Sequence, residues 1–206
     1  MSEYSFLVGI GMVFMLGTMS PGPSFILVAT TAVSKSKMQG FGVTLGLAIG
    51  AAIFALLAIY GLYAILQAVP SMYVALRALG GAYLLYLAYK MWKRAAEPMK
   101  LIAPEEANTT NFLKAVLLGL TTQLSNPKTA IIIGSIFAAL LPKETPAYSE
   151  VLLCLLAFTG DIVWYSLVVL LLSTKRAQHA YLRFKRHIDR LAGGLLGLLG
   201  IKLVID

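Results

Sequence analysis

The stretch YSFLVGIGMVFMLGTMSPGPSFILVATT, residues Tyr4–Thr31, carries no charged side chain and is interrupted by Ser20-Pro21-Gly22-Pro23. An α-helix needs about 20 apolar residues to cross about 30 Å of hydrocarbon, so this stretch is long enough to span a membrane. Each proline lacks an N–H group, and the residue before a proline is disfavoured in the helical conformation. The stretch therefore predicts a membrane helix that is broken near its middle.

The composition of the whole chain agrees with a membrane protein. Hydrophobic residues make up 59% of the chain and charged residues 13%, whereas a soluble domain is about half apolar and about a quarter charged. Six apolar segments predict an all-α integral membrane protein with six transmembrane helices, the last of them short. The segments are Tyr4–Thr31, Gly40–Val69, Met72–Lys90, Phe112–Leu141, Tyr148–Ser173 and Leu191–Ile205.

The net charge of +8 lies mainly in connections on one side of the predicted membrane. Lysine and arginine accumulate on the cytoplasmic side of membrane proteins, so the basic connections are predicted to be cytoplasmic and both termini to lie outside. This placement favours an orientation signal in a bacterial inner membrane over a nucleic-acid surface. The basic connections hold Lys35, Lys37, Lys93, Arg94, Lys100, Lys175, Arg176, Arg183, Lys185, Arg186 and Arg190, against Arg77, Lys143 and Lys202 on the other side.

The most basic connection, 175–190, also has apolar residues at helical spacing. That pattern fits an amphipathic helix on the anionic cytoplasmic leaflet, and an ordinary basic loop is the alternative.

Two sequence matches indicate an internal repeat. Phe6 precedes Ser20-Pro21 by the same intervals at which Phe112 precedes Asn126-Pro127, and the pattern Arg-x-x-Gly-Gly recurs at Arg77 and Arg190. Each unit has three spans, an odd number, so the two copies are inverted relative to each other. Inverted repeats with broken helices are typical of secondary transporters that bind substrate near the midplane.

The repeat divides the chain into three parts. A first three-helix repeat covers residues 1–94, a polar cytoplasmic linker covers 95–110, and a second three-helix repeat covers 111–206. The first and fourth spans are broken at their proline motifs.

The two breaks are the predicted substrate site. Backbone groups freed in lipid cost several kcal/mol each unless they are satisfied, so such breaks line cavities. The helix that starts near Pro23 presents free N–H groups and a positive dipole end, which suit a carboxylate. The candidate binding residues are Ser20, Pro21, Gly22, Pro23, Ser24, Asn126, Pro127 and Lys128.

Two ionisable residues lie near the centre of predicted spans: Lys128 and Asp161. Charges at this depth are costly and usually functional, and their opposite signs predict a pair. Asp161 is a candidate proton carrier, and a structural ion pair with Lys128 is the alternative. Trp164 and Tyr165 share the helix face of Asp161, and either wall the cavity or belong to ordinary aromatic packing.

A ridge of small residues marks the second span. Gly42, Gly46 and Gly50 recur every four residues, which lets another helix approach closely. Packing within the chain is favoured, and a homodimer interface is the alternative.

At these residues the chain resembles the LysE/RhtB family of amino-acid exporters, of the homoserine, threonine and leucine efflux type. The resemblance covers nearly the whole length and rests on Ser20-Pro21-Gly22-Pro23, the glycine-rich second span, Gly80-Gly81-Ala-Tyr83-Leu, Asn126-Pro127-Lys128 and Gly160-Asp161. It implies export of amino acids from the cytoplasm, driven by the proton gradient or the membrane potential. A site with one acid and one base suits a zwitterion, so neutral amino acids are favoured.

Other functions are less well supported by the residues. A metal exporter needs a cluster of His, Cys or several carboxylates within the spans, and Asp161 is the one carboxylate near the centre of a predicted span. A thiol–disulfide electron carrier needs two reactive cysteines, and Cys154 stands alone. The sequence therefore predicts no enzyme and no cofactor, and leaves a passive channel as a rival.

Overall fold

The computed structural model describes residues 4–20, 22–68, 70–96, 111–142, 145–172 and 175–205. These residues form helices joined by short connections, as the sequence predicts for an all-α protein. The helices are α1 (Ser5–Met19), α2 (Pro23–Ser34), α3 (Lys37–Ala68), α4 (Pro70–Arg94), α5 (Phe112–Leu124), α6 (Pro127–Leu140), α7 (Ser149–Leu172) and α8 (Lys175–Ile205).

The first apolar segment is broken where its proline motif predicts. Helix α1 ends at Met19, the backbone of Ser20 and Gly22 is extended, and α2 begins at Pro23. Proline is well tolerated as the first residue of a helix, because its missing N–H would have no intrahelical acceptor there. The two helices meet at an angle of 58°.

The fourth apolar segment is broken in the same way. Helix α5 ends at Leu124 and α6 begins at Pro127. Asn126 caps α6, since its side-chain oxygen accepts a 3.1 Å hydrogen bond from the backbone N–H of Lys128. An asparagine cap satisfies one of the four N–H groups that a helix start leaves free.

Length and composition identify two single helices among the described residues that can cross a membrane: Lys37–Leu62 and Ser149–Leu172. The bent pair of α1 and α2 makes a third span if it counts as one. Helices α5 and α6 are apolar but shorter. The apolar, all-helical architecture of the described residues thus fits a membrane protein, and six spans remain a prediction.

The glycine ridge of α3 packs against α5 within the chain. A Cβ atom at Gly46 would overlap the backbone carbonyl of Val116, and one at Gly119 would overlap the carbonyl of Val43. A Cβ at Gly42 would lie 2.9 Å from that of Ala115. The two backbones therefore touch, and the ridge serves an intramolecular contact as the sequence favours.

Helices α4 and α8 also approach closely. A Cβ at Gly81 would lie 2.8 Å from the carbonyl oxygen of Gly200, and the reciprocal distance is the same. At the far end of this contact the Trp92 indole donates a 3.0 Å hydrogen bond to the carbonyl of Arg190. Helix α8 is continuous over 31 residues. The sixth apolar segment is therefore the second half of one long helix, whose first half is the basic segment 175–190.

Elements that correspond in the predicted repeat contact each other. Helix α3 packs against α7 and α4 packs against α8, so the second and the third segments of the two units pair. A twofold relation between units would produce such pairs. The inverted repeat and the division at residues 95–110 stay predictions, and residues 97–110 lie outside the described residues.

Candidate substrate site at the two helix breaks

The two helix breaks meet beside the middle of α7 and line a small cavity. Its free volume is about 20 Å³, which is room for about one water molecule. Its wall is polar at the breaks and apolar elsewhere. The lining residues are Phe14, Gly17, Thr18, Ser20, Gly22, Ser24, Phe25, Gln123, Asn126, Lys128, Thr129, Ile132, Asp161 and Tyr165.

Asp161 is held in this cavity by two hydrogen bonds from different helices. Thr18 Oγ1 of α1 donates to Oδ1 at 3.3 Å, and Gln123 Nε2 of α5 donates to Oδ2 at 2.9 Å. The residue is 1% exposed. Each half-helix that precedes a break therefore gives one donor to the same carboxylate.

Gln123 continues this network to the second half-helices. Its Oε1 accepts a 2.7 Å hydrogen bond from Ser24 Oγ at the start of α2, and Ser24 Oγ accepts a 3.0 Å hydrogen bond from Asn126 Nδ2. Gly50 leaves the space for this side chain, because a Cβ there would lie 2.7 Å from that of Gln123. Buried polar groups must find partners, and this chain of hydrogen bonds supplies them.

Lys128 does not form the direct ion pair with Asp161 that the sequence predicts. Its Nζ donates a 3.0 Å hydrogen bond to the backbone carbonyl of Ser20, which the break of the first segment leaves free. The Asp161 carboxylate meanwhile accepts from Thr18 and Gln123. The acid and the base thus line one cavity, each with neutral partners, and their charges are not neutralised by direct contact.

Most of the other predicted binding residues lie at this cavity. Ser20, Gly22, Ser24 and Asn126 line it. Pro23 and Pro127 are the first residues of their helices and line an adjacent groove that also contains Asn126. Pro21 lies outside the described residues.

Of the two aromatic residues predicted to wall the cavity or to pack elsewhere, Trp164 and Tyr165, each follows a different alternative. Tyr165 lines the cavity, whereas Trp164 is not among its lining residues. Trp164 packs in an apolar cluster with Phe25 and Val28 of α2. The two neighbours point differently because successive residues of a helix are rotated by about 100°, and a shared approximate face does not decide which of them reaches a cavity.

Thr18 and Gln123 are site residues that the sequence reasoning missed. Both are polar, both lie in apolar helices, and both precede a break by a few residues. That combination is a usable signal, because a polar side chain at depth needs a partner, and the breaks are where partners are found.

Among the residues that the structure describes, no three His, Cys, Asp or Glu side chains are grouped as a metal site requires. The polar groups of the cavity are instead hydroxyls, amides, one carboxylate and one ammonium. This set offers a small polar molecule hydrogen-bond donors and acceptors, together with one acidic and one basic group.

Comparison with known proteins agrees with this arrangement. The chain is 29% identical to the threonine efflux protein of Escherichia coli K12 over 198 residues, 96% of each chain. It is 30% identical to the threonine efflux protein of Salmonella typhi over the same shares, and 28% identical to the leucine efflux protein of Enterobacter sp., covering 87% of this chain and 83% of that protein. No solved structure gives a significant match.

The family comparison covers nearly the whole chain. Residues 15–206 match the family described as LysE type translocator. The match includes both breaks, the glycine ridge of α3 and Asp161. The chain therefore belongs to the LysE type translocator family, and is a membrane transporter rather than an enzyme.

Proposed function

We propose that this protein exports small neutral amino acids from the bacterial cytoplasm, with threonine as the first substrate to test. One observation carries the proposal. Asp161 and Lys128 line the same cavity between two broken helices, and each is held by neutral partners. The threonine and leucine efflux proteins similar to this chain support this substrate class.

The site is suited to a zwitterion. The substrate ammonium would bind the Asp161 carboxylate, in place of one of its present donors. The substrate carboxylate would bind Lys128 and the N–H groups at the start of α2, where the helix dipole favours an anion. Ser20, Ser24 and Asn126 offer further polar groups there. Pro21, Pro23, Pro127 and Trp164 stay in the proposed site as residues that shape the breaks and their packing.

The small volume of the cavity implies that binding requires movement. About 20 Å³ does not hold an amino acid, so α2 and α6 must separate from α1 and α5 to admit one. The residues of the breaks are the natural hinges, because their extended backbone interrupts the helical conformation between the two half-helices. Opening the cavity to one side at a time would give alternating access.

The driving force is proposed to be the proton gradient, with Asp161 as the proton carrier. A carboxylate that accepts hydrogen bonds from Thr18 and Gln123 can lose its charge and keep its position, because the protonated acid still offers an acceptor oxygen. Protonation from outside would remove the attraction for the substrate ammonium. The substrate would then leave on that side.

The orientation belongs to the same proposal. The six spans, the inverted repeat and the bacterial inner membrane follow from the sequence pattern, with the basic connections in the cytoplasm and both termini outside. Cysteine labelling from the two sides of the membrane tests the orientation. The native Cys154 is replaced first, so that each introduced cysteine is the one that reacts.

The test of the function is counterflow in proteoliposomes. Proteoliposomes that contain the purified protein and are preloaded with unlabelled threonine should accumulate labelled threonine from a low external concentration. The uptake rate should saturate as the external threonine concentration is raised. Asp161→Asn should retain exchange only at raised threonine concentrations, because it lacks the charge that binds the ammonium, and should lose uptake driven by an imposed pH gradient. Glu150→Gln, an acidic residue in the first turn of the same helix, is the matched control and should behave as wild type.

Two results would overturn the proposed export of amino acids, and a third would overturn the proton role alone. Unsaturable flux would indicate a channel. Exchange of metal ions but not of amino acids would indicate a different cargo. Normal gradient-driven transport by Asp161→Asn would remove the proton role and leave the exporter in place.

A further inference from the structure

The hydrogen bonds that join the two helix breaks to Asp161 all point in one direction. The backbone N–H of Lys128 donates to Asn126 Oδ1 at 3.1 Å, and Asn126 Nδ2 donates to Ser24 Oγ at 3.0 Å. Ser24 Oγ donates to Gln123 Oε1 at 2.7 Å, and Gln123 Nε2 donates to Asp161 Oδ2 at 2.9 Å. These four bonds form a donor chain, which runs head to tail from the start of α6 to the carboxylate on α7.

A negative charge on Asp161 accounts for this direction. An ionised carboxylate only accepts hydrogen bonds, so the Gln123 amide must turn its NH₂ group towards Asp161 and its oxygen towards Ser24. The single hydroxyl proton of Ser24 then goes to that oxygen, and Ser24 is left to accept from Asn126. The NH₂ group of Asn126 is used in this way, and its oxygen remains for the N–H of Lys128. Each orientation is therefore fixed by the one before it, beginning at Asp161.

The donor chain lies in surroundings that strengthen it. Each of its four side chains is at most 4% exposed. Hydrogen bonds in a buried chain polarise one another, by roughly 10–30% per bond. The bond from Gln123 to the ionised carboxylate is charge-assisted, and such bonds are about twice as strong as neutral ones. A change of charge at Asp161 therefore alters the strength of the chain as far as the start of α6.

A neutral group at position 161 removes the constraint on direction. The Gln123 amide can then turn over and donate to Ser24, where it competes with the Asn126 amide for the same oxygen. Asn126 caps α6, and Ser24 lies in the first turn of α2. Both helices that follow a break are then held less firmly.

We propose that Ser24 and Asn126 are positioning residues through which the charge of Asp161 controls the two helix breaks. The ionised carboxylate holds the starts of α2 and α6 together, and its protonation loosens them. This inference rests on the proposed function, since it assigns the proton-driven movement of that site to named hydrogen bonds. It agrees with release on protonation, because the attraction for the substrate ammonium and the hold on the two helices are lost in the same step.

Two other titratable residues line the cavity among those that the structure describes: Lys128 on α6 and Tyr165 on α7. In the same part of the chain, α1, α2 and α5 contribute only neutral side chains to the lining, and α3, α4 and α8 contribute none. The buried ion pair of α8, between Lys185 and Asp189, lies outside the lining. The side chains of Lys128 and Tyr165 are not part of the donor chain, so replacing them tests whether Asp161 is the group that titrates.

Hydrogen exchange of the peptide that contains the first turn of α6 tests the proposal without any transport. Exchange of the purified protein in detergent is followed by mass spectrometry over a range of pH, with correction for the intrinsic pH dependence of amide exchange. In the wild type, protection should fall by about fivefold as Asp161 becomes protonated, because a charge-assisted bond becomes a neutral one. Asp161→Asn should show the lower protection at every pH. Lys128→Met and Tyr165→Phe should keep the pH dependence.

Two variants interrupt the donor chain and leave Asp161 in place. Ser24→Ala removes the central hydroxyl, and Asn126→Ser removes the amide donor but keeps an oxygen that caps a helix. In both variants, protection at the start of α6 should no longer depend on pH, and Asn126→Ser decides if Ser24→Ala does not fold. Ser24→Thr keeps the hydroxyl and should keep the dependence. Thr121→Val is the matched control, since this exposed hydroxyl donates only to carbonyls of its own helix.

The outcomes distinguish this proposal from the proposed function. Protection that is independent of pH in the wild type, or a pH dependence that remains in Asp161→Asn, overturns the control by Asp161. A pH dependence that remains in a folded Ser24→Ala or Asn126→Ser variant overturns the role of the donor chain. A wild-type protein without threonine counterflow contradicts the proposed function, and hydrogen exchange still decides on the donor chain.

Discussion

Gln123 donates a 2.9 Å hydrogen bond to Asp161, and the same amide accepts a 2.7 Å hydrogen bond from Ser24. One side chain thus joins three helices, two from the second predicted repeat and one from the first. Its donor and its acceptor are both used, so it holds the central carboxylate at a fixed distance from the first helix break. A movement that separates α5 from α2 or from α7 must therefore break or exchange one of these bonds.

Replacing Gln123 with leucine should destabilise the protein by about 1.5–3 kcal/mol, because a buried carboxylate and a buried hydroxyl each lose a partner. Thermal unfolding in detergent measures this loss. Thr121→Val on the same helix is the control, since the Thr121 hydroxyl is exposed and donates only to carbonyls of its own helix. A loss of stability no greater than that of the control would mean that the hydrogen-bond network of Gln123 contributes little to stability.

Asp161→Asn should leave the fold intact. The Gln123 amide can turn over, accept from the new asparagine and donate to Ser24, so no buried group loses every partner. A directly paired aspartate would behave differently, because its removal would leave a lone buried charge at a cost of about 3–5 kcal/mol. A small change in Tm together with lost pH coupling supports the proton role. A large fall in Tm that Lys128→Met reverses would indicate a structural pair.

Substitution of Gly22 should depend on the size of the new side chain. The backbone of Gly22 is extended, with φ −153°, so any residue can adopt it. A Cβ there would lie 3.3 Å from Lys128 Nζ, which alanine accommodates if the flexible lysine shifts slightly. Valine adds two methyl groups at that point and should displace the ammonium from Ser20. We expect counterflow to survive Gly22→Ala and to be lost in Gly22→Val, at equal expression in the membrane. Normal export by the valine variant would make the break purely structural.

Gly46→Ala should destabilise the contact between α3 and α5 by about 1–3 kcal/mol or more, because the new methyl group overlaps the backbone of Val116. Backbone cannot rotate away as a side chain can. Gly61→Ala on the same helix has no atom within 4 Å of the new Cβ and should be neutral or stabilising by up to about 1 kcal/mol. Unfolding temperatures of the two variants give the comparison. Similar unfolding temperatures for both variants would show that α3 and α5 can move apart without loss of stability.

Part of this protein was determined by the sequence alone. The membrane class, the helix breaks before Pro23 and Pro127 and the close contact of the α3 glycines all follow from local rules. Proline lacks an N–H group, apolar segments of sufficient length partition into lipid, and glycine has no side chain to hold helices apart. Each of these properties acts within one segment and requires no knowledge of its neighbours.

Tertiary structure alone decided which side chains meet. The sequence suggests that Lys128 and Asp161 form a pair, but Lys128 reaches the Ser20 carbonyl, while Asp161 is held by Thr18 and Gln123. Tyr165 rather than Trp164 lines the cavity. The reason is geometric: a partner is chosen by the rotation of each helix about its axis and by its depth against its neighbours. Both are set by the packing of all the helices together, and no spacing within a single helix encodes them.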